Sequence, residues 1–155
     1  MTENGHWNYE NYYEPNDISF PKNSNYASLK LDKHPNKLTN HIDVKFNDIT
    51  ELFMFDTGAD YLTISEKLFH KLKNQNIKFI DMEVEREMRD AENEIINSKV
   101  YSVDITVGEV NIKNLRIHVG KNLSNLFGLD FFKKFSDYQI CIYGKKGGEC
   151  IVYKN

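Results

Sequence analysis

From Tyr26 onward the chain alternates short apolar stretches with polar turns, whereas residues 1–25 show neither a two-residue nor a 3.6-residue period. Ala27–Leu31 predicts a strand. His41–Phe46 places Ile42, Val44 and Phe46 on one face and Asp43 and Lys45 on the other, the pattern of a half-buried strand. Asn47-Asp48 is a turn, and Leu52–Phe55 is a fully apolar run short enough for a strand buried on both faces. Ser65–Asn76 predicts a helix: Ser65 is an N-cap residue, Glu66 lies in the first turn, and Leu68, Phe69 and Leu72 share a face. Ile80, Met82 and Val84 alternate before a charged run, and Asp90–Asn93 reads as a hairpin tip. Val103, Ile105 and Val107 lead into a tight turn at Gly108-Glu109. The apolar phase then slips between Ile112 and Leu115, which predicts a bulge near Lys113-Asn114. Asp130–Phe135 predicts a short helix with Asp130 as its cap, and Tyr138–Tyr143 with Glu149–Tyr153 a final hairpin. Many short strands, two short helices and frequent turns make a mostly-β small barrel or sandwich.

At 155 residues this is one domain with room for a real core and no room for two. Residues 1–25 form an extension carrying Trp7, Tyr9, Tyr12 and Tyr13, and residues 26–155 form the domain. A net charge of −3 lacks the basic excess that would argue for nucleic acid or an anionic membrane as partner. No apolar run approaches the roughly 18–20 residues of a membrane span. The polar first residues do not read as a secretory signal, so the expected location is the cytoplasm. Cys141 and Cys150 are too few for a disulfide framework and read as reduced thiols; whether they face each other depends on the loop between their strands. The five histidines are scattered, with no metal spacing, and no cofactor is implied.

The chemistry lies in Asp56-Thr57-Gly58-Ala59. An acid emerges directly from an apolar strand into a turn with a hydroxyl, a glycine and a small residue. A carboxylate so placed is costly unless it is used or hydrogen-bonded. Gly58 allows backbone geometries closed to other residues and a close approach by another chain. An exposed turn closed by its own Asp is the bland alternative for a bare tripeptide. Two additions argue against it: the apolar run before the acid, and Leu126-Phe127-Gly128 about 70 positions later, followed by a short helix.

Asp56-Thr57-Gly58-Ala59, taken with Leu126-Phe127-Gly128-Leu129-Asp130-Phe131-Phe132, resembles the retropepsin-like aspartic proteases, the single-domain cellular and bacterial members more than the retroviral ones. The resemblance covers roughly residues 26–155. It implies a closed β-barrel with one or two short helices and a flap hairpin. It also implies an aspartic endopeptidase whose site is a pair of aspartates. Only one Asp-Thr-Gly is present, so it implies a homodimer in which Asp56 meets its own mate, with a polypeptide as the other partner. Asp56, Thr57 and Gly58 would be the catalytic motif. Ala59, Asp60 and the flap tip Asp90, Ala91 and Glu92 would contact substrate, and Leu126, Phe127 and Gly128 would back the site.

Two departures stand out. The flap tip is charged and lacks the glycines of retroviral flaps. The position that holds an arginine after the apolar-apolar-Gly motif in retroviral relatives is Leu129 here, so Asp60 is either in solvent, on the substrate backbone, or paired with Arg86, Arg89 or Arg116. These departures favour the alternative of a non-catalytic module that binds an extended peptide. The Tyr-rich extension, joined to such a domain, is a candidate to occupy the cleft or to be removed by the enzyme.

Overall fold

The computed structural model describes residues 18–33, 39–90, 92–143 and 146–155. The aromatic cluster Trp7–Tyr13, the turn residues Gly144 and Lys145, and Ala91 lie outside them. Among the described residues, eleven strands and two helices follow in the order β1 (Ile18–Ser19), β2 (Tyr26–Lys33), β3 (Asn40–Phe46), β4 (Ile49–Phe55), β5 (Thr63–Ser65), α1 (Glu66–Asn74), β6 (Ile80–Arg89), β7 (Ile95–Val107), β8 (Val110–Gly120), β9 (Leu126–Phe127), a 3-10 helix (Leu129–Lys134), β10 (Asp137–Ile142) and β11 (Gly148–Tyr153).

The strands pair in the order β10-β11-β2-β3-β4-β9-β5-β8-β7-β6, and one extra pair, Lys45 with Thr106, brings β3 against β7. Most neighbours are antiparallel, joined by short turns. The short strand β9 is different: it lies parallel to β4 and antiparallel to β5, wedged between them. No helix among the described residues is long and apolar enough to cross a membrane.

Alternation follows the reading of the sequence closely. Ile42, Val44 and Phe46 are buried while Asp43 and Lys45 are exposed. Ser65 caps α1 by accepting the Leu68 N–H at 3.1 Å, and Leu68, Phe69 and Leu72 are its buried face. The slip in β8 is a bulge: Val103 pairs Leu115 and Ile105 pairs Ile112, so Lys113 and Asn114 together oppose Asp104. Asn114 there has φ of 59°, and its N–H donates to the Asp104 carboxylate at 2.8 Å. Among the described residues six non-glycines have positive φ, and five of them are asparagines: Asn23, Asn47, Asn76, Asn93 and Asn114. Asparagine tolerates the left-handed region better than most residues, so these five positions suit it.

Three features differ from expectation. The second helix is a 3-10 helix that starts one residue earlier, at Leu129, and Gly128 precedes it with no side-chain cap. Asp130 is not a cap; it is buried, and both its oxygens accept from Arg116 Nη2 at 2.6 Å. β4 is not buried on both faces: Phe53 and Phe55 are buried and Leu52 is exposed. Ahead of β2, Ile18 and Ser19 pair with Ile112 and Asn111 of β8, and Phe20 meets Phe135 edge to face.

The core is one continuous cluster in which Phe127, Phe131 and Phe132 are fully buried, contact one another and pack against Phe55 and Phe135. Leu126–Phe135 thus anchors the floor of the site from below. Cys141 pairs with Glu149 and Cys150 with Ile140 across the β10–β11 ladder, so the two thiols point to opposite faces, and both are free. Burial pushes the Cys150 thiol up to about 12, with the neighbouring Cys141 and Glu149 adding to it.

Candidate active site

Asp56 is held where β4 runs out. Its own N–H donates to the Phe127 carbonyl at 3.1 Å, one step past the parallel pairs Met54–Leu126 and Phe55–Phe127. The chain then turns sharply: Gly58 N–H donates to Asp56 Oδ1 at 2.9 Å and Ala59 N–H to the Asp56 carbonyl at 3.2 Å. Beyond the turn, the Leu129 and Asp130 N–H groups donate to the carbonyls of Ala59 and Asp60 at 3.0 and 2.8 Å. Residues 54–60 are therefore strapped along 125–130 by backbone hydrogen bonds on both sides of the carboxylate. Asp56 is half-buried, and Thr57 beside it is exposed.

This strapping explains Gly128. A Cβ there would lie 2.5 Å from the Tyr61 carbonyl and 2.7 Å from the Ala59 carbonyl, distances no backbone tolerates. Gly128→Ala is expected to destabilise the fold by about 1–3 kcal/mol through forced separation of the two segments. Gly58→Ala should cost the protomer less, since its Cβ would meet only Asp56 Oδ1, at 3.2 Å. Denaturant midpoints of the two variants check the order.

A cleft of about 870 Å³ opens above the turn. Asp56, Gly58, Ala59 and Asp60 line its floor together with Met54 and Leu126, and the β6–β7 hairpin forms its roof. Along β6, Val84, Arg86 and Met88 are the half-buried positions and Glu85, Glu87 and Arg89 the exposed ones. The cleft wall also takes Tyr61, Ile96 and Leu123.

Asp90 and Glu92 of the expected substrate-contact set reach this cleft. The Asp90 carboxylate, however, serves the hairpin tip: its Oδ1 accepts from the N–H groups of Glu92 and Glu94, each at 2.9 Å. Arg89 closes the same tip by donating to the Asn93 carbonyl at 3.0 Å. A tip made of its own side chains needs no run of glycines.

Asp60 is exposed, and the candidate bases have other partners: Arg116 holds Asp130, Arg89 holds Asn93, and Arg86 donates to Tyr61 Oη at 2.9 Å. Asp60 is thus an exposed residue on the floor of the cleft.

Tyr61, Arg86, Arg116, His118 and Asp130 are the residues near the site that sequence reasoning passed over as a group. His118 is fully buried, and its ring lies 4.4 Å from that of Tyr61, centre to centre. Burial is the main reason its imidazole is lowered to about 3, and the positive charges of Arg116 and Arg86 push in the same direction. The alternation of β6 places Arg86 on its inward face, whereas the alternation of Leu115, Ile117 and Val119 in β8 would put Arg116 and His118 on the outward face, and only the packing of both faces buries them.

The family model described as gag-polyprotein putative aspartyl protease matches residues 42–134, more than half of the chain, from within β3 to the end of the 3-10 helix. A retropepsin-like aspartic protease from Rickettsia conorii has a similar fold: the superposition covers 88% of this chain and 100% of that one, with a TM-score of 0.57 at 18% identity. A search of the curated proteins found no significant match. With the family model spanning both the Asp56 turn and the Leu126–Gly128 strap, this chain belongs to the retropepsin-like aspartic protease family.

Proposed function

We propose that the chain is an aspartic endopeptidase that works as a homodimer. The observation that carries this reading is the Asp56 turn, fixed by backbone bonds at the floor of a cleft and roofed by a hairpin, in a chain with a single Asp-Thr-Gly. One turn supplies one carboxylate, and the chemistry needs two. A two-fold axis beside Asp56 would supply the second from an identical protomer, and exposed Thr57 would meet its mate there.

In such a dimer the two carboxylates lie too close for both to ionise, and they hold one proton between them. The ionised one takes a proton from water as the water oxygen attacks the peptide carbonyl. The protonated one donates to the carbonyl oxygen, giving a neutral gem-diol. Collapse of the diol breaks the C–N bond as the nitrogen is protonated, and the pair returns to its starting state. An extended peptide would lie between floor and flap as an added strand, hydrogen-bonded through its main chain. Met54, Met88, Ile96, Leu123 and Leu126 favour apolar side chains near the scissile bond.

The charged flap and the exposed Asp60 favour the second reading, a module that binds extended peptide without cutting it. Incubation with a mixed peptide library from about pH 4 to 7, read by mass spectrometry over a range of protein concentrations, separates the two. A protease gives cleavage next to apolar residues, and its turnover per chain rises with concentration as dimers form. Peptides retained but left whole at every pH and concentration would establish the binding module instead.

A further inference from the structure

The cluster beside the floor joins four separate elements. Tyr61 follows the Asp56 turn, Arg86 lies on β6, Ser98 on β7 and His118 on β8. The Tyr61 phenol faces the His118 ring on one side and the Arg86 guanidinium at 5.2 Å on another, and Arg86 also donates to its hydroxyl. Ser98, buried, sits 3.4 Å from His118 Nδ1 and donates to the Arg86 carbonyl at 3.3 Å. Arg86 and Ser98 are cross-strand partners at the base of the hairpin, inboard of the self-closed tip. We propose that the Tyr61–His118 ring pair, gripped by Arg86 and Ser98, is a latch fastening the base of the flap hairpin to the loop that carries Asp56, and that acid opens it by protonating His118.

The geometry says why a proton is unwelcome. With the Ser98 hydroxyl donating to the Arg86 carbonyl, Nδ1 carries the ring hydrogen and Nε2 is left as the basic atom. Nε2 is buried and has no hydrogen-bond partner among the described residues. A proton there would create an N–H with no acceptor beside two guanidiniums. The charged and titratable groups facing the ring are Tyr61 from the loop, Arg86 from β6, and Arg116 from β8. The nearby Asp130 carboxylate, on the 3-10 helix, is engaged by Arg116. None of these groups offers an imidazolium a free negative charge.

The sign of the pH effect follows. The latched ring has a pKa of about 3, and a ring released into water has the ordinary 6.5. Protonation therefore favours the open form. The latch is at full strength above about pH 6.5 and weakens as pH falls from there towards 3, the open population rising up to about tenfold per pH unit. The latch is a property of the fold; only its bearing on catalysis, as a pair of positioning residues, rests on the proteolytic reading.

Amide hydrogen exchange on the full chain tests it between pH 7 and 4, with rates corrected for intrinsic exchange and β3–β4 as internal reference. In the native protein, protection of Val84–Arg89 and Ile95–Ser98 should fall by up to about tenfold per pH unit below 6 relative to β3–β4. In His118→Phe, which keeps a ring but cannot take a proton, the relative protection should stay flat. Equal pH dependence in both proteins, or none in the native one, overturns the proposal. Should His118→Phe fail to fold, His118→Leu replaces it, and ring titration by NMR provides an independent measurement on the native chain. An imidazole that charges near pH 6.5 with the hairpin protection unchanged would refute the latch. Because neither readout uses peptide cleavage, an inactive protein with an acid-sensitive hairpin would count against the proteolytic reading alone.

Discussion

Asp56→Asn is expected to abolish peptide hydrolysis while leaving the fold intact. Asparagine is isosteric, and its side-chain oxygen can still accept the Gly58 N–H that Asp56 Oδ1 takes at 2.9 Å. What it cannot do is hold or release the shared proton, and in a homodimer one substitution removes both carboxylates at once. The general base and the general acid disappear together, so the loss should exceed about 10³-fold at every pH. Mixing makes the prediction sharper. When equal amounts of native and Asp56→Asn chains exchange subunits, only a quarter of the dimers keep two aspartates, and the activity of the native protein should fall to about half. Undiminished activity in the mixture would mean that a single chain carries the whole site. Retained activity in pure Asp56→Asn would remove the aspartic mechanism altogether.

The floor of this site was legible because its physics is local. An apolar run ending on an acid, then a glycine, is visible in seven consecutive residues, and the pleat of a strand is visible in five. The bulge at Lys113-Asn114 could be read from a phase slip, since a buried face cannot change sides without an extra residue. Asp130 shows where such reading stops. An Asp just before a short apolar helix has the signature of a cap, and nothing within four residues contradicts it. Its true partner, Arg116, lies 14 positions earlier on β8 and reaches it only because β8 and the 3-10 helix pack together. The same holds for the latch, whose members are spread from Tyr61 to His118. A lone buried histidine carries no sequence mark, because burial and the approach of two guanidiniums are tertiary facts. Hairpin and turn could be predicted separately; their fastening to each other could not.

The Arg116–Asp130 pair is the second place where a single change should have a large effect. Both side chains are almost completely buried, at 5% and 4% exposure, and one guanidinium nitrogen bonds both carboxylate oxygens at 2.6 Å. Two charges withdrawn from water gain little net stability from each other, but each becomes very costly without the other. Asp130→Ala leaves the guanidinium buried without its carboxylate and should destabilise the chain by about 3–5 kcal/mol. That is a large part of the roughly 5–15 kcal/mol that holds a domain of this kind together. Replacing both partners, Arg116→Met with Asp130→Leu, should restore most of the loss, because it removes the desolvation cost along with the attraction. Denaturant titration of Arg116→Met, Asp130→Leu and the double variant yields the coupling directly. The position of the pair ties this stability to the site: the Asp130 N–H holds the Asp60 carbonyl at 2.8 Å, four residues past Asp56, and Gly128 lies two residues before it. Weakening the pair should therefore loosen the strap under the carboxylate before the rest of the core gives way. In Asp130→Ala, hydrogen exchange at Leu129 and residue 130 should rise ahead of that in β3 and β4. If those amides exchange only with global unfolding, the ion pair supports the fold as a whole and not the turn that presents Asp56.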